Sequence, residues 1–182
     1  NIFIYINIYI CEMVLIVYGK IKIIVESFPN FYELNKLISS YNIKHIIRVC
    51  DASYGVNEEN IKKICMIHEY IFEDGSSPCS DMIYEWITFL FNYFYTSEIS
   101  NIEFILAHCI SGLGRSPLFV CIALIVCENM EPITSIVYMR KHIRYALNKK
   151  QIKFIEITNW SKYRNFFKKL FKKQKNNHCT IL

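Results

Sequence analysis

Two kinds of apolar pattern alternate along the chain. KIKIIVE (residues 20–26) alternates apolar and polar positions as a strand does. From Pro29 to Ser40, Phe31, Leu34, Leu37 and Ile38 fall on one face of a predicted helix. KHIIRVC (44–50) reads as a second strand, residues 57–64 as a helical turn or short helix, and residues 65–71 as a third strand. The loop FEDGSSP follows. Met82, Ile83, Trp86, Leu90 and Phe94 predict a long helix over residues 80–95, and IEFILA (102–107) a further strand. PLFVCIALIV (117–126) is apolar on every side and predicts a helix from about Ser116 to Cys127. Glu131-Pro132 opens another, since proline is tolerated in a first turn. A last helical region runs from about Lys149 to Leu170, with a break near Asn159. Strands separated by helices predict one α/β domain with a central, mostly parallel sheet flanked by helices.

The first eighteen residues, NIFIYINIYICEMVLIVY, break this rhythm. Their length approaches a membrane span, so a short transmembrane anchor is one reading. The other sets residues 1–17 apart as an apolar N-terminal extension, with Met13 as a candidate start. Glu12, the lack of a basic flank and the lack of a small-residue cleavage site argue against a secretory signal. The domain proper is then expected over residues 18–170, followed by a tail over 171–182. Composition agrees with one globular domain: 53% of the 182 residues are apolar, enough for a full core and too many for a disordered chain.

Charge and cysteine change the picture at two places. From Ser161 to Leu182 there are seven Lys or Arg and no Asp or Glu, which points to an anionic surface as partner. The eight cysteines show no close CxxC pair and no zinc spacing. Their scatter among apolar residues suits a reducing compartment, with Cys65, Cys79, Cys121 and Cys127 read as structural or incidental. Neither a metal nor a cofactor is expected.

The distinctive chemistry lies in HCISGLGRS (108–116), between the predicted strand and the apolar helix. A glycine-rich turn lets successive backbone N–H groups face one concavity, and the following helix adds its free N-terminal N–H groups and dipole. Cysteine thiols in such surroundings ionise readily. The planar fork of Arg115 matches two phosphate oxygens. Cys109 is therefore the expected nucleophile toward a phosphoryl group, cradled by Ile110, Ser111, Gly112, Leu113, Gly114 and Arg115. Ser116 is placed to donate to the thiolate, or to the leaving step when a phosphocysteine hydrolyses. His108 points away from Cys109 if strand alternation persists, which suits a residue that orders the loop rather than a base. A buried structural cysteine before an ordinary glycine turn would explain a lone Cys or GxG. It does not explain Cys, two glycines, Arg and Ser at these offsets between a strand and a helix.

HCISGLGRS matches the HCxxGxxR[ST] signature of cysteine-dependent protein tyrosine phosphatases. With RVCDASY (48–54), IFEDG (71–75), AHCISGLGRSPL (107–118) and the terminal CTIL, the chain resembles the phosphatases of regenerating liver, the type IVA tyrosine phosphatases, over about residues 18–182. The resemblance implies a dual-specificity-type fold, Cys109 attacking phosphate and Arg115 binding it. It also implies Asp74 as general acid, with Glu73 its acidic neighbour; taken alone, Asp74-Gly75 would read as a solvated turn. Tyr70-Ile71 stand where the family usually has Trp-Pro, and the missing proline predicts a looser acid loop. Ser116 stands where this family often has Ala, which predicts faster phosphocysteine hydrolysis. Arg140 and Arg144 match the family's basic helix end, where a solvated helix face is an equal account. Cys50 matches the family's backdoor cysteine and ends a strand as Cys109 does, so a reversible, regulatory Cys50–Cys109 disulfide is expected.

CTIL (179–182) has the form of a prenylation box at Cys179, and Leu182 favours geranylgeranyl. One prenyl chain binds membranes weakly; the lysines of KKLFKKQKNNH add about 1 kcal/mol each near an anionic leaflet. Together they predict the cytoplasmic face of a membrane, with a cytosolic pool. No nucleic-acid module accompanies the basic tail, so nucleic acid is not an expected partner. Two function classes stay open. One is a membrane-anchored phosphatase for phosphotyrosine proteins, other phosphoproteins or a phosphoinositide. The other, implied by the resemblance, is a docking protein whose cradle engages the paired CBS domains of a magnesium transport mediator. The resemblance also implies a homotrimer.

Overall fold

The computed structural model describes residues 13–96 and 103–179. Among the described residues, five strands form one sheet in the order β1-β2-β5-β3-β4: β1 (Val14–Tyr18), β2 (Ile21–Glu26), β3 (His45–Arg48), β4 (Met66–Glu69) and β5 (Ile105–His108). β1 runs antiparallel to β2, and the other pairings are parallel. The mostly parallel sheet flanked by helices is the architecture that the alternating pattern predicted.

Period-two alternation divides the core between the two faces of the sheet. Ile23, Val25, Ile47, Val49, Ile105 and Ala107 belong to the larger apolar cluster, while Ile24, Ile46 and Leu106 belong to the smaller. The smaller cluster packs beneath α1 (Phe31–Tyr41) and α2 (Glu58–Lys62). The larger lies with α3 (Ser80–Leu90), α4 (Arg115–Cys127), α5 (Pro132–His142), α6 (Lys149–Ile157) and α7 (Trp160–Cys179). The predicted break near Asn159 falls between α6 and α7, and the long helix predicted over 80–95 is α3 continued by a π-helical stretch, Phe91–Thr96.

Every residue of α4 from Arg115 to Val126 is buried. A helix that is apolar all round is stable only inside the fold. Trp86 of α3 donates its indole N–H to Phe119 O at 3.0 Å, and Arg164 of α7 donates to Ile125 O and Met130 O at 3.0 and 2.8 Å, satisfying carbonyls at and just beyond the end of α4.

The structure moves both expected boundaries of the domain. Val14–Tyr18 is the edge strand of the sheet, not part of an extension preceding it: Ile16 is fully buried, while Leu15, Val17 and Tyr18 are exposed. Its continuous apolar run hid the one-sided burial. Residues 1–12 lie outside the described residues. At the other end α7 continues through the basic tail to Cys179. Phe166, Phe167, Leu170 and Phe171 pack on the core, whereas Lys168, Lys169, Lys172 and Lys173 face solvent. Among the described residues, no helix is long and apolar enough to cross a membrane.

Candidate active site

β5 ends at His108, α4 begins at Arg115, and the glycine-rich loop joins them. Cys109 is 1% exposed. The Ser116 hydroxyl donates to Cys109 Sγ at 3.3 Å. Gly112 has φ +70°, a left-handed conformation that side-chain-bearing residues adopt only with strain. Gly114 is the N-cap of α4 and supplies no capping side chain, so the first-turn N–H groups carry no side-chain cap from it. The loop is fixed from both flanks: Phe28 N–H donates to Ile110 O at 3.0 Å, and Leu147 N–H to Leu113 O at 2.8 Å. Ser111 Oγ accepts from Leu113 N–H at 3.3 Å within the loop.

Arg115 is buried, yet its fork meets the loop that carries the acids. Nη1 donates to Phe72 O at 3.1 Å, and Nε lies 3.1 Å from Asp74 Oδ1. Asp74, not Glu73, is thus the carboxylate that forms an ion pair with Arg115. The missing proline does not leave this loop untethered. Tyr70 is buried against Trp86 and Phe119, and Phe72 stacks on Phe119. Asn148 and Gln151 hold the next two carbonyls, those of Gly75 and Ser76. Neither residue stood out in the sequence, although Asn-x-x-Gln at a helix start is a readable capping signal.

His108 is fully buried, bonds the Tyr54 hydroxyl and packs edge-on against Phe28. Burial lowers its pKa to about 4, which suits a neutral structural imidazole. Cys50 is fully buried at the end of β3, within electrostatic reach of Arg115 and Cys109; burial pushes its thiol up. Cys50 and Cys109 are both free thiols. Arg48, two residues before Cys50, is buried between Glu58, at 2.8 Å, and Glu69. Arg140 and Arg144 do not enter the cradle. Arg140 donates to Ala146 O and Leu147 O at 3.0 and 3.1 Å, and Arg144 lies over the Tyr145 ring. Among the described residues there is no cluster of three or more metal-ligating side chains.

No family model matches the chain. It is 37% identical over 132 residues to Probable protein tyrosine phosphatase type IVA B of Dictyostelium discoideum, covering 72% of this chain and 76% of that protein. It is 29% identical over 170 residues to mouse protein tyrosine phosphatase type IVA 2, covering 90% and 93%. Among solved structures, a protein tyrosine phosphatase from Leishmania major superposes with a TM-score of 0.69 at 22% identity, covering 81% of this chain and 99% of that one.

Three shifted groups predict how stability depends on pH. Burial holds His108 and His45 at about 4 against an ordinary 6.5; for His45 the neighbouring His68, 2.9 Å away, adds to it. Hydrogen bonding to Arg48 holds Glu58 at about 2 against 4.5. All three values are depressed on folding, so the unfolded chain takes the proton first and stability falls with pH. The histidine contribution is complete above 6.5 and is lost as pH falls through about 4; that of Glu58 is complete above 4.5 and is lost through about 2. Urea unfolding midpoints measured from neutrality downward should hold level near pH 7 and decline in these two overlapping windows. A midpoint unchanged between pH 7 and 4 would contradict the burial of these histidines.

Proposed function

The chain belongs to the type IVA protein tyrosine phosphatases, and from that membership we propose how its residues share the reaction. It is a cysteine-dependent protein tyrosine phosphatase, a hydrolase of phosphate monoesters. In the proposed assignment, Cys109 Sγ attacks phosphorus while the bond to the leaving oxygen breaks, and Asp74 supplies the proton that oxygen needs. Water then hydrolyses the phosphocysteine to inorganic phosphate, with Ser116 donating to the departing sulfur. Arg115 and the N–H groups of the 110–115 loop hold the phosphoryl oxygens throughout.

The observation that carries the assignment is the convergence on one buried cysteine. Ser116 Oγ lies 3.3 Å from its sulfur, an uncapped helix N-terminus follows its loop, and Arg115 ends that loop with Asp74 beside it. Cys109→Ser should abolish turnover of aryl phosphates, and acid-quenched wild-type enzyme should carry phosphate on Cys109 by mass spectrometry. Asp74→Asn should slow substrates with poor leaving groups about 10²-fold or more, and good ones far less. Equal slowing across the series would remove Asp74 from this role and reopen Glu73.

The substrate is a phosphorylated protein in this reading, with a phosphoinositide as the other source of the same monoester. A solved neighbour of like fold, PTPMT1, is recorded in complex with PI(5)P, at 15% identity and a TM-score of 0.61 over 86% of this chain and 96% of that one. Turnover of a phosphotyrosine peptide against that of phosphoinositide in vesicles separates the two. Competition by a phosphate analogue for proteins captured on Cys109→Ser separates both from docking to a magnesium transport mediator. A trapped substrate leaves; a partner held over a wider surface resists.

Redox control is the next part of the proposal. Peroxide oxidises Cys109 to a sulfenic acid, and the Cys50 thiol displaces water from it to form a disulfide. Peptide mapping after mild peroxide should find Cys50 joined to Cys109, with activity returning on reduction. A sulfinic Cys109 beside a free Cys50 would refute it.

The last part concerns place. Prenylation at Cys179 and the exposed lysines of α7 act together, the lipid by insertion and the lysines by attraction to an anionic leaflet. Cys179→Ser should release the protein from membranes in cell fractionation. Changing Lys168, Lys169, Lys172 and Lys173 together should weaken binding without that full release. Retention of Cys179→Ser on membranes would exclude this anchor.

A further inference from the structure

The turn between α5 and α6 touches both loops of the active site. Asn148 caps α6, and its Oδ1 accepts from Gln151 N–H at 2.9 Å; Gln151 Oε1 accepts in return from Asn148 N–H at 3.1 Å. That reciprocal box uses only the oxygen of each amide. A helix start needs nothing more, and Ser, Thr or Asp followed by Glu would serve equally well. The NH₂ groups are spent elsewhere. Asn148 Nδ2 donates to Gly75 O at 2.9 Å and Gln151 Nε2 to Ser76 O at 3.2 Å, the two carbonyls directly after Asp74.

The same turn abuts the phosphate loop. Leu147 N–H donates to Leu113 O at 2.8 Å, and a Cβ on Gly114 would stand 3.2 Å from Gln151 Nε2. Gly75 is in the left-handed region at φ +72°, and a Cβ there would stand 2.9 Å from Asn148 Nδ2. The turn itself is strained: Tyr145 and Leu147 have φ of +64° and +66°. Arg140 braces it by binding the carbonyls of Ala146 and Leu147.

We propose that Asn148 and Gln151 are positioning residues that clamp the acid loop against the phosphate loop, so that a helix cap, in place of the missing proline, sets how often Asp74 stands over Cys109. The effect on catalysis rests on Asp74 as general acid; the clamp itself does not.

The discriminating variant is Asn148→Ser in the full chain, because serine keeps an N-cap acceptor and loses the NH₂ donor. Gln151→Glu keeps the box and loses the second donor, although it buries a carboxylate. Backbone amide exchange over residues 72–77 should accelerate about tenfold in Asn148→Ser, with little change in α6. kcat should fall about 5- to 50-fold for aryl phosphates with poor leaving groups, part of what a general acid supplies, and less than about twofold for the best. Inhibition by inorganic phosphate should stay within about twofold. Asp74→Asn/Asn148→Ser should be no slower than Asp74→Asn alone on the poor substrates, since both changes remove one function.

Unchanged exchange over 72–77 in Asn148→Ser overturns the clamp whatever happens to rate. Faster exchange confined to α6 marks a capping role only and overturns it too. Faster exchange at 72–77 with a uniform loss across the leaving-group series keeps the tether and overturns its role in placing the acid. If Asp74→Asn itself shows no leaving-group dependence, the acid assignment fails, and the exchange measurement alone decides the clamp.

Discussion

Burial of α4 on every side is the constraint from which the site follows. A helix with no polar face has to lie between the sheet and the other helices, and α3, α5 and α7 close around it. That position brings its N-terminus to the end of β5, the central strand, where parallel strands direct their carboxyl ends. The loop that joins them has to turn sharply there, which requires Gly112 at positive φ and a bare N-cap at Gly114. An uncapped helix start inside a protein leaves N–H groups in need of a partner, and an anion is the partner such a site accepts best.

Arg115 extends this constraint outward. As the first residue of a buried helix its side chain is itself buried, and a guanidinium there needs oxygens around it. The acid loop supplies Phe72 O and the Asp74 carboxylate. The aromatic rings of Tyr70 and Phe72, packed on Phe119, anchor the loop on the same helix. Loop order at Asp74 therefore comes from packing and hydrogen bonds rather than from a proline before Phe72.

Polar side chains also meet behind the site. Arg48 lies between Glu58 and Glu69, and His108 meets Tyr54, so the ends of β3 and β5 carry a buried polar layer under the cradle. α7 divides its own labour between faces: aromatic residues complete the core, and lysines remain in water, available to an anionic surface.

The sequence by itself determined the strand–loop–helix unit and much of the helix plan. HCISGLGRS encodes a local turn, and the apolar run after it has one stable home. KIKIIVE was legible as a strand, although the burial of both its faces was not. Resemblance singled out Asp74 where local pattern alone left a solvated turn. Only the tertiary structure decided that Val14–Tyr18 joins the sheet, because an apolar run looks the same at a sheet edge as in an extension. Only it brought Asp74 to Arg115, turned Arg140 toward backbone carbonyls and put the amides of Asn148 and Gln151 on the acid loop. The contacts to the acid loop join distant segments, and the acceptors are mostly backbone carbonyls, which every residue possesses. Residue identity therefore leaves no trace of them until the chain is folded.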